Sequence, residues 1–126
     1  MIPKFRAWDS WRKRMSVVDR IYIDTKGVRL YDDFGEYWRD FSDVELMQST
    51  GLKDKNGKEI FEKDIVDFKG RKAIVKWHGS YASFIYEFVD ELQNRKTEWQ
   101  PLYLSYYKFE VIGNSLENPE LLEVTE

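Results

Sequence analysis

The sequence predicts a mainly β protein built from two small parts, and three observations carry that expectation. Aromatic residues make up 17% of the 126 residues, as five Trp, eight Tyr and eight Phe; aromatic and β-branched side chains suit the pleated, half-buried surface of a sheet. Short apolar–polar alternations recur along the chain, punctuated by turn-forming clusters such as Asp24-Thr25-Lys26-Gly27, Lys69-Gly70-Arg71 and His78-Gly79-Ser80. A polar connection over residues 51–59 separates a first part from a second, in which five short strand-like segments follow one another through tight turns. That second pattern suits a small, partly open barrel.

Taken in order, residues 2–8 alternate Phe5 and Ala7 with Lys4, Arg6 and Trp8, a short first strand with Pro3 at its start, where no ladder donor is lost. Asp9-Ser10 breaks it, and residues 11–15 form a basic turn or a single helical turn. A strand over residues 17–23 pairs with one over 28–31, the turn between them drawing on Gly27 for positive φ. Residues 32–43 read as a polar loop holding Phe34, Tyr37, Trp38 and Phe41, rings that fold back onto the sheet because leaving them in water is unfavourable. Residues 44–50 are the next strand, and Asp54, Asn56 and Gly57 turn the chain. In the second part, Ala73, Val75 and Trp77 share one face of a strand that pairs with residues 65–68, and residues 82–89 continue the meander. Residues 90–98 read as a polar turn around Asn94 or a short helical turn. Pro101 interrupts residues 99–104, and residues 107–112 form a last strand alternating Tyr107, Phe109 and Val111 with Lys108 and Glu110. Pro119 opens a final capped turn that points Leu121 and Leu122 inward. The expected organisation is an N-terminal β subdomain with its aromatic loop and connecting turn over residues 1–59, then a barrel subdomain with an acidic tail over 60–126.

Composition narrows the chemistry. The formal net charge is −3 and 34% of residues are charged, which favours solubility and lacks the global basic footprint of a nucleic-acid-binding domain. Charge is nevertheless uneven: residues 1–20 hold six bases against two acids, and residues 115–126 hold four acids and no base. With no cysteine, disulfides, thiolate zinc sites and thiol nucleophiles are excluded. The first residues lack the continuous apolar core of a secretory signal, and no apolar run reaches membrane-spanning length, so the expected location is the cytoplasm, away from any membrane.

A family resemblance adds a context. The opening Lys4-Phe5-Arg6-Ala7-Trp8-Asp9, the central run from Leu46-Met47-Gln48-Ser49-Thr50-Gly51-Leu52 through Asp54-Lys55-Asn56-Gly57-Lys58-Glu59-Ile60-Phe61-Glu62, Asp64-Ile65-Val66, and Val111-Ile112-Gly113-Asn114 with Glu117-Asn118-Pro119-Glu120-Leu121-Leu122 occur in that order. In this the chain resembles the YopX family of bacteriophage and prophage proteins. One departure is Lys63, where the family usually carries Gly before the Asp. The resemblance implies an N-terminal sheet subdomain joined to an SH3-like barrel, and a phage or prophage origin; it implies no catalytic residues, and no cofactor is expected.

Read residue by residue, the sequence favours binding over catalysis. His78 is the only histidine; it falls at an expected hairpin turn, where an exposed imidazole is the simpler assignment, and no second histidine exists to activate a serine. Glu62, Asp64 and Asp67 lie close enough to collect a cation but lack the Gly-turned loop of alternating oxygen ligands, so a divalent-metal enzyme is the last of three readings. Nucleic-acid binding is the second, through Arg12, Lys13 and Arg14 with Trp8 and Trp11, and through Lys69, Arg71 and Lys72. The first is protein–protein interaction: Trp99, Tyr103, Tyr106 and Tyr107, with Trp38 in the aromatic loop, exceed what so small a core needs, and point to pairing with a second copy or with a host or phage protein.

Overall fold

Alternating apolar and polar side chains become strand along most of the segments where the sequence shows them. The computed structural model describes residues 4–90 and 99–123, so most of the expected turn around Asn94 and the end of the acidic tail lie outside the described residues. The chain divides into two compact units, Met1–Ser49 and Thr50–Glu126. Among the described residues no helix is long and apolar enough to cross a membrane.

The first unit is an antiparallel sheet. Strands β1 (Phe5–Asp9), β2 (Arg14–Tyr22), β3 (Gly27–Asp32) and β4 (Gly35–Asp40) follow one another, and the one-turn helix η1 (Phe41–Asp43) leads into β5 (Val44–Lys53). β5 returns to pair with β1 from Asp9↔Val44 to Phe5↔Gln48, giving the order β4-β3-β2-β1-β5. Ala7, Val28 and Leu30 are fully buried, with Val18, Ile21, Tyr37, Phe41, Val44 and Leu46 packed around them.

Two expectations fail here for physical reasons. Residues 32–43 are not a loop: residues 35–40 form the edge strand β4, paired with β3 from Asp32↔Gly35 to Gly27↔Asp40. Its period-2 pattern is disguised because the inward positions are Tyr37 and Arg39, and the arginine is tolerated only because Asp9 receives it. Gly27 does not supply the positive φ of its turn. Lys26 does, at φ 54°, while Gly27 lies beneath Trp38, whose indole occupies the space a Cβ would take.

The second unit takes up the end of β5 and its neighbour β6 (Glu59–Phe61), then β7 (Asp64–Phe68), β8 (Arg71–His78) and β9 (Ser83–Phe88). The one-turn helix η2 (Gly79–Tyr81) joins β8 to β9, and the short β10 (Gln100–Pro101), two one-turn helices η3 (Leu102–Leu104) and η4 (Tyr106–Lys108), β11 (Glu110–Asn114) and η5 (Pro119–Leu122) complete it. β7 to β11 form a five-stranded antiparallel sheet in the order β10-β9-β8-β7-β11. The last strand pairs with the first, and the sheet stays open, with β10 and β11 at its edges, so the expected barrel is not closed. The β7–β8 hairpin is a two-residue turn in which Lys69 and Gly70 both have positive φ, 51° and 85°, the mirror-image turn that matches strand twist. The core is Ile60, Val66, Ala73, Val75, Tyr86, Leu102 and Phe109, with Tyr86 and Phe109 edge-to-face at 4.8 Å.

Residues 107–112 are not one strand. Leu102 and Phe109 are buried and Tyr106 packs against the same cluster, an inward spacing of four and three residues that belongs to helical turns. The backbone obliges: Lys108 N–H donates to Ser105 O at 3.0 Å and Phe109 N–H to Tyr106 O at 3.2 Å, and extended chain resumes only at Glu110. Ala73 and Val75 are fully buried, whereas Trp77, further along the strand, is half exposed and packs edge-on against Phe84 at 5.0 Å.

The turn at residues 54–58 is architecture with a definite job. Asp54 is buried, and its Oδ1 accepts from Asn56 N–H at 2.9 Å and Lys58 N–H at 2.8 Å, closing the turn around Gly57 at φ 84°. Its Oδ2 accepts from Val111 N–H at 2.9 Å, and Lys55 N–H donates to Phe109 O at 2.9 Å. The turn therefore covers the outer side of edge strand β11, where open donors and acceptors would invite another chain. Burial alone pushes the Asp54 carboxyl up, but the three backbone N–H groups and the Lys58 charge outweigh it and hold it below the ordinary value.

Candidate functional site

The residues that sequence reasoning picked for a protein interface separate into three environments. Tyr103 and Tyr107 stand out from η3 and η4 at 60% and 56% exposure, with Leu104 between them at 58%. They are held there by what their neighbours bury. Leu102 and Tyr106 point into the core, Tyr86 OH donates within reach of Ser105 Oγ and Gln100 Oε1, both at 3.2 Å, and Tyr106 meets Tyr107 edge-on at 5.7 Å. Tyr106 is thus the foot of the patch rather than part of its face. Trp99 is half-buried in a trio with His78 and Tyr81, every pair of rings 4.9 Å apart. Trp38 belongs to the first unit, on β4. Leu104 was missed because a single leucine in an ambiguous segment carries no signal until the helical turns set its direction.

Of the basic residues, Arg12, Arg14 and Arg71 are engaged with carboxylates and rings of their own units. Arg12 and Arg14 each place Nη1 3.3 Å from Asp32 Oδ2. Arg12 also lies over the Tyr37 ring at 4.1 Å, with Arg39 over the same ring at 4.8 Å, and Arg14 over Phe34 at 4.9 Å. The Asp32 carboxyl is held low by Phe34 N–H first, then by the two arginines. Lys13 takes the left-handed position of its turn, at φ 56°. In the second unit Arg71 grips Asp90 through Nε and Nη2, both at 3.2 Å, and stacks 3.6 Å above Phe88. Lys69 reaches over Phe68 at 5.4 Å, and Lys72 is half-buried on β8. A guanidinium already holding a carboxylate and a ring has to give up both to meet a phosphate.

His78, Asp64 and Asp67 each sit in local contacts of the second unit. His78 is not an exposed turn residue: its Nδ1 is buried, and its ring is enclosed by Tyr81 and Trp99. Asp64 is buried and its Oδ2 accepts from Phe61 N–H at 2.8 Å, while Asp67 Oδ2 accepts from Gly70 N–H at 3.2 Å. Among the described residues no three His, Asp or Glu side chains converge as metal ligands.

The buried polar residues trace the motifs named above. Asp9, with no exposed surface, accepts from Trp11 N–H at 2.9 Å, Arg12 N–H at 3.3 Å and Arg39 Nε at 3.2 Å. Its desolvation is outweighed by those donors, so its carboxyl also titrates below the ordinary value. Asn114 Oδ1 accepts from Leu116 N–H at 3.1 Å and Glu117 N–H at 2.8 Å, and Asn118 Oδ1 accepts from Asn114 N–H at 3.2 Å, a closed polar turn that leaves no room for a Cβ at Gly113. The same motif positions lie on a known family: residues 4–123 match the YopX protein family. The chain belongs to the YopX family. Protein EF1440 from Enterococcus faecalis, known from its crystal structure, is similar at 32% identity and a TM-score of 0.62, over 98% of this chain and 99% of that one. None of the curated proteins matches. Where the YopX pattern usually has Gly, Lys63 adopts φ 68° all the same, its N–H donating to Val75 O at 2.8 Å and its O accepting from Ser115 N–H at 2.9 Å. The two bonds hold a lysine in a glycine's conformation.

Proposed function

We propose that this YopX protein is a non-enzymatic accessory protein that acts by binding a protein, foremost a second copy of itself, through the Tyr103–Leu104–Tyr107 surface. The observation that carries this is local: three large apolar side chains, each more than half exposed, fall within five residues on two core-anchored turns. Two tyrosines and a leucine at that exposure present on the order of 300–400 Å² of side chain. That is patch size for a functional surface, yet about half of what one partner buries in a standard interface. The patch therefore acts as an energetic centre with a polar rim around it, and self-association is of moderate affinity. A phage or prophage setting and a host-cytoplasmic location belong to the same reading, as does an SH3-like, partly open barrel in the second unit, supported by five short antiparallel strands whose last returns to the first. The pairing of Arg12 and Arg14 with Asp32, and of Arg71 with Asp90, weighs against phosphate binding as the principal activity.

Sedimentation velocity over about a hundredfold range of concentration tests the proposal. The wild type is expected to associate with rising concentration, and Tyr103→Ser with Tyr107→Ser to abolish the association while leaving the urea midpoint within about 0.5 kcal/mol equivalent, as for exposed positions. A wild type that stays monomeric throughout, or a double variant that associates equally well, overturns it.

A further inference from the structure

The first unit holds a small cleft that the binding surface above does not use. It has a volume of about 200 Å³ and is lined by Trp11, Trp38, Arg39, Asp40 and Asp43. We propose that this cleft receives an arginine side chain presented by a partner chain.

Its chemistry is that of an organic-cation site. Two indoles, the strongest aromatic partners for a cation, share it with two carboxylates. Among the described residues no Lys or Arg pairs with Asp40 or Asp43. The one cation in the lining, Arg39, is committed elsewhere: its Nε holds fully buried Asp9 at 3.2 Å, and its Nη1 donates to Trp38 O at 2.9 Å. Pairing Arg39 with Asp9 leaves the two lining aspartates as the uncompensated charge of the cleft.

The walls are built in advance. Trp38 lies over Gly27, which has no Cβ to displace it, and packs against Tyr22 at 5.3 Å. Its Nε1–H donates to Asp40 Oδ1 at 3.1 Å. The loop bearing Trp11 is fixed at one end by Asp9, which accepts from Trp11 N–H at 2.9 Å. It is tied to η1 by Ser10, whose N–H and Oγ donate to Asp43 O at 3.1 and 2.7 Å. Trp11 is nevertheless 72% exposed, a large ring on a fixed backbone with little to cover.

Size and shape choose the occupant. The volume is about seven times the share of one liquid water, roughly 30 Å³, which suits a group of about that many heavy atoms and is below the range of ordinary small-molecule pockets. A guanidinium with two methylenes fits that count. Its plane stacks on indole while its edge offers paired donors to carboxylates, which a compact ammonium cannot do together.

The test titrates the full-length protein with Nα-acetyl-arginine amide while following the indole N–H resonances of Trp11 and Trp38. Expected are saturable shifts of both with a millimolar dissociation constant, and binding at least about tenfold weaker for the neutral isostere Nα-acetyl-citrulline amide, since both cation–π and charge terms are lost. Asp43→Asn and Trp11→Ala, both changes to side chains with no hydrogen bond that holds the fold, are each expected to weaken binding at least about fivefold with unchanged spectral dispersion elsewhere. Equal binding of the citrulline compound, absence of shifts at about 50 mM ligand, or indifference to both substitutions overturns the proposal. Tighter binding of Nα-acetyl-lysine amide overturns the assignment to a guanidinium. The outcome is independent of self-association through Tyr103 and Tyr107, which the double variant of those residues separates.

Discussion

Replacing Asp54 by alanine puts the central turn to its hardest test. The carboxylate satisfies three backbone donors, and hydrogen bonds to a charged acceptor contribute about 1.5–3 kcal/mol each when their loss leaves the donor buried. The three are not equivalent. Asn56 and Lys58 lie in an exposed turn, where water replaces the lost oxygen, so each is worth about 0.5–1 kcal/mol. Val111 N–H sits on β11 beneath the turn, with Lys55 bonded beside it, and loses the larger amount. The expected total is about 3–4 kcal/mol, a large share of the 5–15 kcal/mol typical of a small domain. Urea unfolding at pH 7 measures it: with a slope of about 2 kcal/mol/M, the midpoint falls by roughly 1.5–2 M. Asp54→Asn keeps one acceptor oxygen and loses about half as much. The pH dependence has a definite sign. Because the folded carboxyl titrates below its unfolded value, its stabilisation is complete above the unfolded value of about 3.9 and is lost as pH falls through the lower folded value. Acid destabilisation of the wild type below about pH 4 should therefore be shallower in Asp54→Ala. A loss under about 1 kcal/mol, or an asparagine variant less stable than the alanine one, would refute the claim that this carboxylate staples the turn to β11.

Three further substitutions separate backbone strain from crowding. Gly57→Val is expected to lower stability by about 1–2 kcal/mol through its left-handed backbone alone, because a Cβ there meets nothing within 4 Å; a smaller variant, Gly57→Ala, should then lose nearly as much by urea unfolding. Gly27→Ala, at ordinary φ, should lose about 1–3 kcal/mol by displacing the Trp38 ring, and acrylamide quenching should report a more accessible tryptophan. Lys63→Gly relieves a left-handed lysine of about 1 kcal/mol while adding about 0.5–1 kcal/mol of unfolded-chain entropy, so its midpoint should stay close to wild type, whereas Lys63→Val should fall clearly below it.

Much of the fold was legible because most strands here follow local rules. β1, β2, β3, β7, β8 and β9 each lie within two or three residues of where alternation and turn chemistry put them, and the Lys69-Gly70 hairpin needs nothing beyond its own four residues. β4 escaped because its inward side chains are Tyr37 and Arg39, and an arginine facing inward reads as loop until a buried carboxylate thirty residues away is known. The start of β11 was misplaced because Tyr107, Phe109 and Val111 alternate by chance, while the residues that bury, Leu102, Tyr106 and Phe109, are spaced for helical turns.

The candidate surfaces divide along the same line. Composition singled out Tyr103 and Tyr107, and both are exposed, but Tyr106 and Trp99 could be told from them only once packing assigned their directions. The basic residues at 12–14 and 69–72 were visible as charge; their carboxylate partners, Asp32 and Asp90, and the rings beneath them were not. By itself the sequence determined a β-rich chain of the YopX family, its principal turns, and the absence of thiol chemistry, because these depend on residue identity and short-range spacing. Only the tertiary structure decided what the run around Asp54 and Gly57 is for, which arginines are spent, and that Trp11 and Trp38, twenty-seven residues apart, face one cleft. Those outcomes depend on which buried carboxylate meets which distant donor, and one-dimensional spacing carries no record of that.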